Sequence, residues 1–281
     1  MEDADEITTG RTGAGRTMQT GFAFTRFADR LMSVAELSTD DVDMLARMPS
    51  AIRHFASHDE IRRPGEYASE CCVLLQGYTC WKDDDHSAGQ ITSIHVPGDV
   101  PDLYTTLSPR VDARLCALGP AVVAFVPHRF FRDISAMSER LAHALSLLAL
   151  AEFASLRNWL VILGSCESLT RAAHLICEIT VRLRLVGLAR DNRIPSPFTQ
   201  SDLAAICGIS PVHANRIIQD LRRKGLLQWQ ARTITVTNWP GLVRLAGFTP
   251  DYLRLRQPHL HQEAHHSELL MTGGEMPASA L

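Results

Sequence analysis

The segment Phe198–Leu227 contains two short helical patterns separated by a single glycine. Thr199 can cap a first helix over QSDLAAIC, and Gly208 then provides a residue that readily adopts the positive φ with which many helices end. Ser210 can cap a second helix, with Pro211 at its first position, where the missing backbone N–H costs nothing. This order predicts a helix, a tight turn and a second helix, the arrangement called a helix-turn-helix.

The second of these helices has one apolar and one polar face. Its apolar residues recur at i, i+3, i+4 and i+7, which predicts a buried stripe made of Ala214, Ile217, Ile218 and Leu221. The residues predicted to face outwards are Val212, His213, Asn215, Arg216 and Gln219. Gly225 ends the helix, and the alternating run LLQWQARTITVTN then predicts a two-stranded hairpin, which would form the wing of a winged helix.

Basic charge is concentrated in the same part of the chain. Residues 198–247 contain six arginine and lysine residues against two aspartates, a net charge of +4, whereas the whole chain has a net charge of −3. The remaining residues therefore carry a net charge of −7. A local excess of this kind is what a surface that binds nucleic-acid phosphates requires.

Double-stranded DNA is the partner that these features predict. Arg216 has the fork geometry to contact a guanine edge in the major groove, and Asn215 can pair with an adenine edge. Phosphate contacts, which position without specifying, are expected from His213, Arg222, Arg223 and Lys224. The full set of predicted DNA-binding residues is Thr199, Ser210, Pro211, Val212, His213, Asn215, Arg216, Gln219, Arg222, Arg223 and Lys224. An alternative interpretation is a solvated helix pair inside an unrelated α-helical domain.

Between about Ile61 and Pro127 the pattern is that of β-structure. Short apolar or alternating runs are separated by turn signals. Glycines recur there at the interval expected of an all-β barrel or sandwich: Gly65, Gly77, Gly89, Gly98 and Gly119.

From Arg129 the pattern becomes helical, and SERLAHALSLLALAEFASLRNWLVIL continues to Leu163 without proline or glycine. It has more apolar residues than one face needs, so one side can pack on the β domain and the other on a second copy of the chain. The predicted dimerisation residues are Leu145, Leu148, Glu152, Leu156 and Trp159. Because its most apolar run is short and interrupted by His143 and Glu152, we expect no membrane contact.

The cysteines and histidines suggest no further chemistry. Seven cysteines, an odd number without a CxxC pair, predict a reducing cytoplasm, and the polar N-terminus lacks the pattern of a signal peptide. His86 and His95 are too far apart in the chain for a barrel-type metal site. We therefore expect no metal site, no catalytic site and no enzymatic activity.

The order of β-rich domain, long helix and winged helix resembles the Crp/Fnr family of bacterial transcription regulators over nearly the whole chain after residue 20. FTQSDLAAICGISPVHANRIIQDLRRKGLL is similar to the DNA-binding motif of that family, and Ser210 and Arg216 match its recurrent Ser and Arg. LRNWLVILGSCESLTRAAHLICEITVRLRLVG is similar to its dimer helix, hinge and following helix.

This resemblance implies an α+β protein with a jelly-roll β domain, a dimerisation helix and a winged helix-turn-helix. The implied divisions are a disordered tail over 1–20, a cyclic-nucleotide-binding-like sensor domain over 21–130, the dimerisation helix over 131–164, the winged helix-turn-helix domain over 165–248 and a C-terminal tail over 249–281. The implied function is a homodimer that binds a palindromic operator and regulates transcription by RNA polymerase. An alternative is a small-ligand or cyclic-nucleotide binding module whose helical head contacts proteins.

PGDVPDLYTTL lies where the family has its ligand-facing segment, and the resemblance implies a pocket made of Asp99, Asp102, Leu103, Arg110 and Arg114. Members that bind cyclic AMP have Gly-Glu here, followed by Arg-Ser or Arg-Thr. In this chain Asp99 follows Gly98, and no Ser or Thr follows either arginine, which argues against cyclic AMP. Because no cysteine precedes Cys71, an N-terminal iron–sulfur cluster is not expected either. Val212 stands where many members have Glu, so the half-site need not be theirs.

Overall fold

The computed structural model describes residues 24–83, 89–196 and 199–256. The predicted disordered tail over 1–20 and residues 257–281 of the predicted C-terminal tail lie outside these ranges. Most of the segment DDDHSAGQ, whose sequence predicts a hairpin tip, also lies outside them. Within them, the protein has a β-rich domain, a long helix and a C-terminal helical domain with a small sheet, which confirms the predicted α+β fold class.

The β-rich domain, here called the sensor domain, begins with two helices, α1 over 24–32 and α2 over Thr39–Ala46. Its strands are β1 Ala51–Phe55, β2 Glu60–Arg62, β3 Glu70–Gln76, β4 Thr79–Asp83, β5 Gln90–His95, β6 Arg114–Ala117 and β7 Ala121–Pro127, with a short 3-10 helix, η1, at Leu103–Thr106. They form two antiparallel sheets with the orders β1-β7-β3 and β2-β6-β4-β5. The caps and apolar spacing of TDDVDMLARMPSAIRHF predict one short helix. The structure corrects this, because the last five residues, AIRHF, form β1 instead.

Strands β3 and β7 are buried on both faces of their sheet, since consecutive side chains point to opposite sides of a strand and are both buried here, whereas β1 is largely exposed. Cys71 packs with Phe27 and Leu141 on the side covered by helices. Cys72 packs with Leu115 and Phe125 between the two sheets. The two adjacent cysteines thus point to opposite faces of β3, and both act as small core side chains.

The turns of the sensor domain depend on glycine. All five glycines predicted from the sequence as turn residues have positive φ. Gly98 has a φ of +100°, and a Cβ at this position would lie 2.5 Å from the carbonyl oxygen of Arg26. Only glycine therefore allows the turn after β5 to lie directly against α1.

Two helices, α3 His128–Met137 and α4 Glu139–Ser165, follow the sheets. The long helix predicted over 131–164 therefore begins at Glu139, and the first seven residues of that range belong to α3. The break lies at Ser138, which has extended φ and ψ and accepts a hydrogen bond from the backbone N–H of Leu141. Ser138 therefore ends α3 and caps the first turn of α4.

α4 is the one helix among the described residues that is long and apolar enough to cross a membrane, judged by length and composition alone. It has 27 residues, and its most apolar window has a mean hydropathy of 1.4. The whole helix is therefore longer than the interrupted apolar run on which the expectation of no membrane contact was based, and that expectation stays a prediction. Only 28% of that window is buried inside the chain, so the apolar face of α4 needs another covering.

The C-terminal domain, here called the head, contains α5 Ser168–Leu185, β8 Arg193–Pro195, α6 Gln200–Cys207, α7 Pro211–Arg223, β9 Leu227–Gln230, β10 Thr233–Val236, α8 Trp239–Ala246 and a 3-10 helix, η2, at Asp251–Leu253. The predicted hairpin is confirmed as β9 and β10. The segment RDNRIPSP has two prolines and no periodic pattern, which predicts a loop. This prediction is corrected in part, because Arg193–Pro195 pairs with β10 as a third strand. Ile194 is fully buried there, and one buried residue is too short a signal to predict a strand.

Buried ion pairs connect the head with the sensor domain. Arg182 of α5 contacts Asp99 at 2.7 Å and Glu178 at 3.0 Å, and it donates to the carbonyl oxygen of Ile94 at 2.9 Å. Asp99 also contacts Arg30 of α1 at 3.1 Å. Burial acts to raise the pKa of the Asp99 carboxyl, but Arg182 and Arg30 outweigh it and hold the pKa below its usual value. The carboxylate is therefore ionised and shared by two guanidinium groups.

Asp99→Asn is expected to destabilise the fold by about 3–5 kcal/mol, because two buried guanidinium groups lose their carboxylate. Urea denaturation followed by circular dichroism measures the change in the free energy of unfolding. Asp43→Asn, at an exposed position of α2, is the control and should change it by less than about 0.5 kcal/mol. Equal effects of the two variants would show that the buried cluster does not stabilise the fold.

His174 of α5 is buried, and we expect its titration to make the free energy of unfolding depend on pH. Its Nε2 lies 3.0 Å from Asn158 Nδ2 and 3.1 Å from the Tyr252 hydroxyl. Burial lowers the pKa of His174 below 6.5, against the opposing effect of Glu178. The unfolded chain therefore takes up a proton first as the pH falls, and the folded state loses stability below about pH 6.5.

His174→Gln should reduce this loss, because it removes the titrating group. The slope of the free energy of unfolding against pH should fall by at most about 1.4 kcal/mol per pH unit. Urea denaturation between about pH 7.5 and 5.5 measures this slope. His54→Gln, at an exposed histidine of β1, is the control and should leave the pH dependence unchanged. The same pH dependence in wild type and His174→Gln would contradict the assignment.

Candidate nucleic-acid interface

The first helix of the predicted helix-turn-helix is α6, and its caps are those expected from the sequence. Thr199 accepts a hydrogen bond from the Asp202 backbone N–H at 3.1 Å, and the Asp202 carboxylate accepts one from the Thr199 N–H at 2.8 Å. Gly208 ends the helix with a φ of +63°. Thr199 is thereby placed at the N-terminus of α6, where the backbone N–H groups favour anions.

The second helix, α7, begins at Pro211 with Ser210 as its cap, and Ser210 accepts from the His213 N–H at 3.3 Å. The predicted stripe is buried: Ala214, Ile217, Ile218 and Leu221. The opposite face is solvent-accessible and contains Pro211, Val212, His213, Arg216 and Gln219 as exposed residues and Asn215 as a half-buried one. The two faces predicted from the spacing are therefore confirmed.

The start of α7 is held by a contact that the sequence did not predict. Ser168, at the first position of α5, lies 2.8 Å from Nε2 of His213 through its hydroxyl oxygen. This contact connects the exposed end of α7 with the helix that follows α4. His213 therefore has a positioning partner in addition to its predicted phosphate role.

The basic residues at the end of α7 differ in their contacts. Arg222 donates to the carbonyl oxygen of Trp229 in β9 at 2.9 Å, so it braces the wing against the helix. Arg223 forms an ion pair with Asp220 one turn earlier. Lys224 is exposed and caps the helix. Arg216 lies about two turns before these residues. It is exposed and enters none of these contacts, which leaves its guanidinium available to a ligand.

The wing adds a residue that the predicted set did not include. Ala231, with a φ of +49°, and Arg232 form the turn between β9 and β10, and both are exposed. The signal was the position of Arg232 at the hairpin tip, where a winged helix can approach a phosphate. The exposed basic residues of the head are Arg190, Arg193, Arg216, Arg222, Arg223, Lys224, Arg232, Arg244 and Arg254.

The five residues predicted as a ligand pocket do not form one. Asp99 and Leu103 line a cavity of about 120 Å³ between η1 and α4. Asp102 is fully buried and accepts from Arg62 Nε at 3.0 Å and from the Cys72 N–H at 2.6 Å. The Arg62–Asp102 ion pair therefore uses the carboxylate that the resemblance assigned to a ligand.

Neither predicted arginine lines this cavity. Arg110 belongs to an isolated bridge with Tyr67, and Arg114 pairs with Glu60 at 2.9 Å. The pairings with Glu60 and Arg62 join residues far apart in the chain, so a local pattern could not reveal them.

Three of the five predicted dimerisation residues face the interior of their own chain. Leu145 and Leu148 pack in the core beneath α1 and β3. Trp159 packs against the head and donates to Glu178 Oε2 at 3.0 Å. The assignment of these three to a surface contact was therefore wrong. Glu152 lies 3.3 Å from His95 Nε2, and Leu156 alone of the five is exposed.

The exposed face of α4 instead carries a regular apolar stripe. Ala149, Phe153, Leu156 and Leu160 follow one another at intervals of four, three and four residues. Leu150 and Val161 border them and are also exposed. We call these six residues the α4 seam. Alternating three- and four-residue intervals are those by which helices pack as coiled coils.

Comparisons with known proteins agree with this architecture. A family model described as a Crp-like helix-turn-helix domain matches residues 170–245. An anaerobic regulatory protein of Aggregatibacter actinomycetemcomitans is 25% identical over 167 residues, which cover 59% of this chain and 64% of that protein. The fumarate and nitrate reduction regulatory protein of Escherichia coli K12 is 23% identical over 176 residues, covering 62% and 68%. The chain thus spans less than two thirds of the length of the first of these relatives.

Solved structures with the same fold include FixK2 from Bradyrhizobium japonicum, with a TM-score of 0.64 and 20% identity, which covers 72% of this chain and 100% of that one. A CRP-family transcriptional regulator from Thermus thermophilus has a TM-score of 0.56 and 18% identity and covers 70% and 97%. At these identities the likeness shows the fold. The helix-turn-helix match and the sequence relatives show that the chain is similar to Crp-like and anaerobic regulatory proteins.

Proposed function

We propose that this protein is a sequence-specific DNA-binding transcription regulator. The observation that carries the proposal is the exposed Arg216 on α7, inside a capped helix-turn-helix that matches a Crp-like domain. Arg216 and Asn215 contact base edges in the major groove. Lys224, Arg232 and the N-terminus of α6 contact phosphates and set the register of the head on the duplex.

The protein acts as a homodimer whose two α4 seams pack against each other. The seam is apolar, exposed and spaced as a coiled coil, and Phe153 and Leu160 are 63% and 73% exposed in the single chain. A dimer of this kind presents two heads to half-sites about one helical turn, ~34 Å, apart on a palindromic operator. The same packing covers the apolar face of α4 without a membrane.

The wider role follows from that of its relatives. The protein is a cytoplasmic bacterial regulator that acts on transcription by RNA polymerase and has no enzymatic activity of its own. The sensor domain sets the geometry of the dimer. Its Asp102 carboxylate is already paired with Arg62 and so is not free to hold a ribose, which supports a regulator that does not use cyclic AMP.

Selection of bound sequences from a pool of random duplexes at fixed salt tests the proposal. We expect enrichment of a palindrome with two similar half-sites. Binding that depends on salt but enriches no sequence, both for the purified protein and after addition of cell extract to supply an effector, would overturn it. That outcome would favour a head that contacts proteins.

A further inference from the structure

After α8 the chain leaves the head. Residues Phe248–Arg256, here called the strap, run back across α5 and α4 to the sensor domain. Phe248, Leu253 and Leu255 are buried along this path. The segment PDYLRLRQ predicts a helical turn at the start of the C-terminal tail, and this turn is present as η2. The buried residues of the strap are packed, however, and the strap connects three parts of the molecule.

The middle of the strap is anchored at the junction of α4 and α5. The Tyr252 hydroxyl donates to Glu178 Oε2 at 2.8 Å, and its ring stacks on His174 with centroids 5.9 Å apart. Trp159 of α4 donates to the same oxygen of Glu178 at 3.0 Å. One carboxylate therefore accepts from the strap and from α4, and its other oxygen contacts Arg182.

The far end of the strap is anchored on the sensor domain. The backbone N–H of Arg256 donates to the carbonyl oxygen of Ser33 at 2.9 Å. The Arg256 guanidinium donates to the carbonyl oxygen of Ala35 at 3.4 Å. An ion pair with the largely exposed Glu36 spans 3.7 Å. Because these contacts are few and partly solvated, this end opens more readily than the cores on either side.

The head and the sensor domain share an apolar cluster that the strap lies beside. Cys80 and Cys116, on the outer face of sheet β2-β6-β4-β5, are buried in the same cluster as Leu203 of α6. Cys71 and Cys72 are buried in the two other cores of the sensor domain. If the head turns away from the sheet, Cys80 and Cys116 become accessible while Cys71 and Cys72 stay covered.

We propose that the strap is a releasable lock that holds the head in one orientation on the sensor domain. It is continuous with α8 of the head, and it is anchored on α4, on α5 and on residues 33–36. The head cannot turn on the sensor domain while both anchors hold. After release of the far anchor, the head is held by its apolar cluster and the Arg182–Asp99 pair. With one anchor fewer, the head detaches more readily by local opening. The lock exists whether or not the head reads a DNA sequence.

Thiol labelling of the native full-length protein tests the lock. Iodoacetamide is added for short times, and peptide mass spectrometry gives the labelling rate of each cysteine. In the double variant Leu253→Ala, Arg256→Ala we expect Cys80 and Cys116 to react about tenfold faster or more, with Cys71 and Cys72 unchanged. Arg254→Ala is the matched control, because Arg254 is exposed on the same segment and enters none of the anchor contacts.

Two results would overturn the lock. Wild-type labelling rates at Cys80 and Cys116 in the double variant would show that the head is held without the strap. Equal acceleration at all four cysteines would show that the strap supports the fold as a whole. Tyr252→Phe is the milder variant, because it removes the two hydrogen-bonding contacts of the hydroxyl and keeps the ring stacking. It should increase the labelling rates of the same two cysteines, Cys80 and Cys116.

Discussion

Arg216→Ala should remove sequence-specific DNA binding and leave the fold intact. Arg216 is exposed on α7, so truncation opens no cavity. A bidentate arginine–guanine contact contributes about 1–3 kcal/mol of discrimination, and a dimer repeats it, so the expected loss on a palindrome is about 2–6 kcal/mol. Sequence-independent binding should fall much less, since Lys224 and Arg232 keep their charge. Fluorescence anisotropy with the selected duplex and a scrambled duplex, at one salt concentration, measures both.

Arg244→Ala is the matched control for this prediction. Arg244 is exposed on α8, away from α7, and its truncation removes the same charge from the same domain. Specific binding should therefore change only slightly. Equal losses in the two variants would mean that the head responds to charge alone and that α7 does not read the sequence.

The helix-turn-helix could be predicted almost residue by residue because its signals are local. Thr199 and Asp202 cap a helix within three residues, and Gly208 and Ser210 define the turn within the next few. Each of these residues acts on the backbone next to it, so the local sequence is enough to predict the structure of this segment. The same holds for the turn glycines of the sensor domain, all of which have positive φ.

The contacts between distant parts of the chain could not be predicted in this way. Asp99 and Asp102 were assigned to a ligand, but their partners are arginines 83 and 40 positions away in the chain. The sequence of α5 has the apolar spacing of an amphipathic helix, yet its polar residues His174, Glu178 and Arg182 are buried because they meet the strap, α4 and the sensor domain. Pairing of this kind depends on tertiary structure, which a helical period does not report.

The orientation of α4 was ambiguous for a different reason. Leucines and alanines occur on all sides of this helix, so its spacing does not distinguish the face that packs on its own chain from the face left exposed. Leu148 and Leu156 are both apolar and two turns apart, but one is buried and the other exposed. Only the positions of the sheets and the head around α4 decide between them.

Charges introduced into the α4 seam should convert the protein to a monomer. Phe153→Glu with Leu160→Glu places two carboxylates on each helix where two apolar side chains would otherwise be buried. Each lost side chain removes about 1.5–3 kcal/mol of burial energy, and the dimer loses four, so its Kd should rise at least about a thousandfold. Sedimentation velocity at micromolar concentration measures the change, and circular dichroism verifies the fold.

Leu107→Glu is the control, because Leu107 is 91% exposed on the sensor domain, outside the seam. It adds the same charge at an exposed leucine and should leave the dimer intact. If the seam variant remains a dimer, the two chains associate through another surface. If it becomes a monomer, operator binding must fall with it, since a single head then contacts one half-site and loses the affinity gained when the second head binds from the same molecule. This coupling of association to DNA binding separates a functional dimer from incidental contact between exposed apolar helices.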